Sequence, residues 1–571
     1  MEATNQSVEV AVQRIGRALA AQSAGHAPTL FDRRWWSSSL LDWCMRNEDF
    51  KVRLFRFIDV LPALGNDAQV ARLAEEYFAD LQGGDNPLPL QWGLQAVSAS
   101  KLGARLSARS LRKRIEQMAR TFIAGSTIPD ALPVLADLWK DGRGFSVDLL
   151  GESTVSEQEA DHYRDRCLDA LRVLGGAVKD WPHHPRLERD HLGPLPRINL
   201  SVKLSALYSQ LDSIDPDGSY RAVAARLRPI LDLAVRLSAG ITFDMEQAEL
   251  KDLTLAIFMR LLSEEAYRSY PYGTIALQAY LTESVRDLEQ LVQWASRRAA
   301  PVGVRLVKGA YWDSETIRYR QRGWPVPVFR HKAATDANYE AMSRMLIRHA
   351  DCLRPAFGTH NLRSLAHAQA VAEAAGLPPE ACEYQMIFGM AEPLQNAVVA
   401  EGRRVRLYVP VGRFIPGMAY LVRRLLENTS NESFLRKEYA EFASLDLLLA
   451  QPAPPPDVPQ EEPGTDFANE PHTDFSKASA RTAMTQALVA VRAELGLVLV
   501  MPTGSGPVPS GPELTSRNPS RPDEIICRMP SVAPGDIPAS VLAAQAQAVG
   551  WRAVPAAQRA DVLIRAVSVM R

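Results

Sequence analysis

From Phe145 to Val411 the chain alternates short apolar runs with longer amphipathic stretches, and eight of the runs read as strands. Nearly every run ends on a charged or hydrogen-bonding side chain. Phe145-Ser-Val-Asp-Leu-Leu150 leads to Glu152, Arg197-Ile-Asn-Leu-Ser-Val202 to Lys203, and Ile241-Thr-Phe243 to Asp244. Thr274-Ile-Ala-Leu277 leads to Gln278, Val302-Gly-Val-Arg-Leu-Val307 to Lys308, and Pro355-Ala-Phe-Gly-Thr359 to His360. Glu383-Tyr384 reaches Gln385 and runs on to Gly389, and Val405-Arg-Leu407 leads to Tyr408. Between them, Glu157 to Gly175, Ser219 to Leu237, Ser284 to Arg298 and Thr335 to Ala350 read as helices. Repeated βα units predict an α/β chain with a closed (βα)8 TIM-like barrel over 141–440, near the usual size of roughly 250 residues plus insertions. Such a barrel places its chemistry at the C-terminal ends of its strands. One pattern therefore predicts both the fold and the site.

The flanks read differently. Residues 1–140 form an all-helical segment, in which Leu73, Tyr77, Phe78 and Leu81 share one helix face over Ala71 to Leu81. Trp35, Trp36 and Trp43 read as core. After the barrel comes a proline-rich, acidic linker over 441–475, with Gln451-Pro-Ala-Pro-Pro-Pro-Asp-Val-Pro-Gln-Glu-Glu-Pro463 extended and semi-rigid. Ser476 to Gly496 reads as a helix, Pro502 to Pro522 is rich in Pro, Gly and Ser, and Pro538 to Met570 reads as one or two helices. This last part is too sparse to build a core of its own.

Composition narrows the function. Of 571 residues, 46% are hydrophobic and 23% charged, with a net charge of −1, so no global charge points to nucleic acid. Five cysteines (Cys44, Cys167, Cys352, Cys382 and Cys527), an odd number without a C-x-x-C pair, favour reduced thiols in a cytoplasmic protein. The start, Met1-Glu-Ala-Thr-Asn-Gln6, lacks the regions of a secretory signal. No run reaches the roughly 18 apolar residues of a membrane span, which leaves only a peripheral membrane contact open. Metal-ligand spacing, a Rossmann fingerprint and a G-x-S-x-G elbow are not legible. Redox or proton chemistry would then need a cofactor held by the barrel.

The cations are the informative residues. Lys203, Arg305 and Lys308 lie in or at the ends of apolar strands, where an unpaired charge costs several kcal/mol. Asp148, Glu152, Asp244, Glu246 and Glu427 are the available partners. Arg423 and Arg424 lie on an amphipathic stretch. Arg423 with Glu427 also fits a plain surface i,i+4 pair worth about 0.3–0.5 kcal/mol. With Lys203, the two arginines can instead clamp a carboxylate, because guanidinium groups bind carboxylates bidentately.

At these residues the chain resembles the proline dehydrogenase domain of the proline utilization A family, bifunctional bacterial flavoenzymes. The motifs are Phe145-Ser-Val-Asp-Leu-Leu-Gly-Glu152, Ser201-Val-Lys-Leu-Ser-Ala-Leu207, Phe243-Asp-Met-Glu246, Val304-Arg-Leu-Val-Lys-Gly-Ala-Tyr-Trp-Asp313, Thr359-His-Asn361, Glu383-Tyr-Gln385, Leu407-Tyr-Val-Pro-Val-Gly412 and Leu421-Val-Arg-Arg-Leu-Leu-Glu-Asn428. The resemblance covers about 20 to 440. It implies oxidation of L-proline to Δ1-pyrroline-5-carboxylate on FAD, with electrons passed to membrane quinone. It implies that Lys203, Arg423 and Arg424 bind the proline carboxylate. Tyr408 would pack on the ring, Asp244 would organise the pocket and Glu152 would orient Arg423. It assigns the flavin to Gln278, Arg305, Val307, Gly309, Tyr311, Trp312, Lys332, His360, Asn361, Gln385 and Glu427.

Ser516 to Asp523 and Ala543 to Met570 resemble the start of the family's aldehyde dehydrogenase domain. The rest of that domain would follow Arg571, so its activity is expected to be absent and the chain to be a fragment or a truncated product. The ribbon-helix-helix segment of DNA-binding members is not legible, so no nucleic-acid partner is expected. A homo-oligomer is left open. Two alternatives stand beside the flavoenzyme: a Schiff-base aldolase or lyase with Lys203 or Lys308 as nucleophile, and a catalytically inactive truncated protein.

Overall fold

The structure, a computed structural model, describes residues 2–24, 52–53, 56–57, 60–78, 119–151, 154–413, 445–455, 469–499 and 511–570. The chain divides into two compact units, Met1–Lys477 and Ala478–Arg571.

In the first unit, α1 (Glu2–Ala24), α2 (Asp67–Phe78) and α3 (Ile128–Lys140) precede the barrel. The sequence sets the start of α3. Thr127 accepts from the Asp130 amide while Asp130 accepts from the Thr127 amide, and a proline stands in the first turn. Eight parallel strands then close a barrel: β1 (Arg143–Leu149), β2 (Asn199–Val202), β3 (Gly240–Phe243), β4 (Gly273–Gln278), β5 (Val302–Val307), β6 (Leu353–Gly358), β7 (Glu383–Ile387) and β8 (Arg404–Val411), with β8 pairing back onto β1. The helices around it are α4 (Glu157–Ala177), α5 (Pro216–Leu237), α6 (Ala248–Leu262), α7 (Ser284–Ala295), α8 (Trp312–Arg322), α9 (Lys332–Arg348), α10 (Leu362–Ala374) and α11 (Glu392–Ala400). The predicted barrel, with helical segments ahead of it, is the observed fold.

Alternation along the strands decides where the core lies. Val147, Leu200, Phe243, Val304, Phe357, Met386 and Leu407 join one buried apolar cluster with Leu171, Leu231, Phe258 and Leu346 of the helices. The main core is therefore the shell between strands and helices. The intervening strand residues face the lumen, since side chains two apart share a face. They are unusually polar for a barrel interior. Ser146, Asn199 and Thr242 form a hydrogen-bonded cluster there: both hydroxyls donate to Asn199 Oδ1, over 2.6 and 2.9 Å.

A clasp ties α1 to the barrel. Arg363 on α10 donates to Glu9 on α1 and to Glu340 on α9, each over 2.8 Å, and to the Leu449 carbonyl over 2.6 Å. Leu449 is fully buried, its methyl groups against Gly16, where any Cβ would collide with them.

The second unit holds α12 (Ala478–Ala493), β9 (Leu497–Val498), an antiparallel pair of β10 (Glu513–Asn518) and β11 (Arg521–Pro530), then α13 (Ile537–Ala553) and α14 (Ala556–Met570). None of its described residues is buried. The stretch from Pro502 to Pro522 is therefore more than a Pro/Gly/Ser-rich connection, because β10 lies within it. Trp35, Trp36, Trp43 and Leu81 lie outside the described residues, as do 441–444 and 456–468 of the proline-rich linker.

Candidate active site

The C-terminal ends of the strands surround a cavity of about 910 Å³. Each strand sends a residue to its wall, from the strand itself or just past it. They are Asp148, Lys203, Asp244, Gln278, Arg305, Gly358, Gln385 and Tyr408.

Asp244 organises this wall. Arg305 Nη1 donates to its Oδ1 over 2.8 Å, and the Tyr408 hydroxyl donates to its Oδ2 over 2.8 Å. Ser201 adds a bond to Oδ1 over 3.1 Å. Lys203 Nζ lies 2.5 Å from Asp148 Oδ1 and 3.4 Å from Asp244 Oδ2. Burial disfavours the ammonium, but Asp148, Tyr408 and Asp244 outweigh it and hold the Lys203 pKa well above its ordinary value. Burial, with Asp148 and Asp244, also pushes the Tyr408 hydroxyl far up, so it stays protonated and can donate. The Arg305 guanidinium carbon lies 5.1 Å from the centre of the Tyr408 ring, a cation–π distance.

Gln278 is buried, donates to the Glu246 carbonyl over 3.3 Å, and has no partner for its own carbonyl oxygen among the described residues. Gly309 (φ +142°) lines the cavity beside Val307, and a Cβ there would collide with the Tyr280 ring. His360 also lines it, with Nε2 accepting from the Ile387 amide over 3.0 Å. Lys308 reaches the cavity and pairs with Asp336, which also takes Lys332 over 2.6 Å. Burial pulls the Lys308 pKa down to about 8 despite Asp336.

The remaining expected residues are placed as follows. Tyr311 lines the cavity. Trp312 turns its indole N–H to the Phe329 carbonyl over 2.7 Å and is not part of the wall. Lys332 is held by Asp336 beyond the wall, and Asn361 caps α10 by accepting from the Ser364 amide over 2.9 Å. Glu152, Arg423, Arg424 and Glu427 lie outside the described residues. Three participants escaped the sequence reading of the site: Ser201, Asp336 and Glu383. Ser201 and Glu383 lie two positions before Lys203 and Gln385, on the same strand face. That spacing was the available signal.

The family model "Proline dehydrogenase" matches residues 131–437, and the model "Proline utilization A N-terminal domain" matches 9–122. The chain belongs to the proline dehydrogenase family. Among related proteins, it is 30% identical over 504 residues to the bifunctional protein PutA of Escherichia coli, covering 82% of this chain and 36% of that protein. It is 28% identical over 319 residues to proline dehydrogenase 1 of Bacillus subtilis, covering 56% of this chain and 89% of that protein. A crystal structure of proline utilization A from Bdellovibrio bacteriovorus, inactivated by N-propargylglycine, superposes with a TM-score of 0.83 at 38% identity. That match covers 98% of this chain and 57% of the other. The chain thus spans about a third of the length of the first PutA relatives. For a proline dehydrogenase fold, the boundary residues of the match fall where the geometry does: from within α3, just ahead of β1, to beyond β8.

Proposed function

We propose that this chain oxidises L-proline to Δ1-pyrroline-5-carboxylate with FAD and passes the electrons to membrane quinone. The observation that carries the reading is the Lys203–Asp244–Arg305–Tyr408 cluster on the wall of a strand-end cavity, in a chain of this family. Proline offers one carboxylate and a small apolar ring. Lys203, with Arg423 and Arg424, holds the carboxylate, and Glu152 orients Arg423. Of the three N–H donors of Lys203 Nζ, one is held by Asp148 at 2.5 Å, while the contacts with Tyr408 Oη and Asp244 Oδ2 are long, 3.4 Å each, and can give way to an incoming carboxylate. Tyr408 closes over the ring. Asp244 fixes Tyr408 and Arg305 in place, which matters because positioning is the main contribution asked of this wall.

The wall fits a flavin. The cavity of about 910 Å³ is at the upper end of ligand pockets. Gln278 keeps a buried acceptor with no partner among the described residues, Arg305 brings a buried cation, and Gly309 keeps the wall free of a side chain. These residues, with Val307, Tyr311, His360 and Gln385, would hold the ring system. Trp312, Lys332, Asn361 and Glu427 would act around its remainder. When bound, FAD supplies the hydride acceptor. Arg305 would favour negative charge on the reduced ring and so raise its potential. No described helix is long and apolar enough to cross a membrane, so delivery to quinone would use a peripheral contact.

The test is the visible spectrum of purified protein before and after L-proline without oxygen. A flavin band that bleaches is the expected result. An unbleached band rejects the substrate assignment, and no band rejects the cofactor.

Schiff-base chemistry keeps one foothold. Lys203 stays charged among its carboxylates, but Lys308 reaches the cavity with its pKa drawn to about 8. Borohydride trapping with a carbonyl substrate is expected to leave no adduct on Lys308. A trapped adduct would favour the lyase.

A further inference from the structure

Beneath the cavity the lumen holds a second layer of charge. Glu383 opens β7, and Arg404 and Arg406 on β8 are buried beside it. Arg406 Nε donates to Glu383 Oε1 over 2.8 Å, and Arg404 Nε lies 3.2 Å from Oε2. Burial opposes ionisation of this carboxyl, but Arg406 and Arg404 overcome it and bring its pKa down to about 2. It is therefore ionised near neutral pH, and an ionised carboxylate only accepts hydrogen bonds.

That restriction passes upward. Gln385 lies two residues on, facing the same lumen. Its Nε2 donates to Glu383 Oε1 over 2.6 Å, so its Oε1 is turned the other way and accepts from Arg305 Nε over 2.6 Å. The two ends of an amide match in shape and differ in polarity, so the neighbours decide which end points where. A reversed amide would set its NH2 against the guanidinium N–H, donor against donor. With Nε engaged, Arg305 directs Nη1 to Asp244 and Nη2 to Ser146 Oγ, the latter over 3.3 Å.

We infer that Glu383 is a positioning residue for the redox site, fixing the Arg305 guanidinium at the cavity wall through Gln385. Glu383 itself does not line the cavity. Its effect on a flavin rests on the proposed function. Its effect on the orientation of Arg305 does not.

The full chain with Glu383→Met decides the matter, because methionine is close to glutamate in shape and offers no comparable acceptor to Gln385 Nε2. Crystal structures should show Gln385 reversed or displaced and Arg305 drawn off Asp244, with the strands unchanged. Flavin should stay bound at a lower reduction potential, with kcat down about tenfold or more and KM for proline within about twofold. In a Gln385→Met background, Glu383→Met should lower the potential no further, because the path is already cut. Arg305 unmoved in Glu383→Met, or an equal drop in potential in both backgrounds, would overturn the inference and leave Glu383 a mere counter-charge. If Glu383→Met does not fold, Glu383→Asp keeps the charge but falls a methylene short of Gln385, and should displace Arg305 in the same way to a lesser extent. Wild-type protein without flavin would reject the cofactor reading, and the crystallographic comparison alone would then judge Glu383.

Discussion

Asp244 accepts from Arg305, Tyr408 and Ser201 while lying 3.4 Å from Lys203, so changes to any one partner redistribute the others. Tyr408→Phe removes one donor and leaves Arg305 and Ser201 on the carboxylate. The expected loss is about 1 kcal/mol, roughly fivefold in kcat/KM for proline. Discrimination against hydroxyproline should weaken more, because the site would lose a polar group beside the ring. Steady-state kinetics with both substrates check this, and unchanged selectivity would remove Tyr408 from the ring-packing role. The strand-end residues were legible because each follows an apolar run that makes its polarity conspicuous. Ser201 and Glu383 were not, because a serine or a glutamate inside a strand looks like any alternating polar position until its lumen partners are known.

Among the elements, β5 was read with its observed ends, whereas β8 was read short and β7 was run past its end at Ile387, to Gly389. Arg404 and Arg406 interrupt the apolar run of β8. Lumen-facing charge hides a strand from a search for apolar runs. The turn after β5 carries a sharper prediction. Gly309 has a positive φ and no room for a Cβ against the Tyr280 ring. Gly309→Ala should cost about 1–3 kcal/mol through strain and overpacking. A thermal melt reads the loss, and flavin content in the same preparation should fall with it. A melting temperature equal to wild type would mean the turn relaxes freely.

For the molecule as a whole, Arg363 joins α1, α9 and the Leu449 segment in one buried contact. Nothing in the spacing of Glu9, Glu340, Arg363 and Leu449 announced this, since the four lie far apart along the chain. Arg363→Met would leave Glu340 buried without its closest cation. The expected cost is about 3–5 kcal/mol, with α1 released. Limited proteolysis should then cut near α1 at protease levels that spare the wild type, and an unchanged digestion pattern would count against the clasp.

The polar lumen has a consequence for how the barrel closes. In the observed register Arg404 stands opposite Glu383, and Arg406 opposite Gln385. Sliding β8 by two residues against β7 would keep every apolar side chain facing the helices, so hydrophobic burial alone would tolerate it. It would also pull a buried carboxylate off two buried guanidinium groups, at several kcal/mol for each stranded charge. The ion pairs thus act as a lock on strand alignment, rejecting misaligned closures that greasy packing would accept.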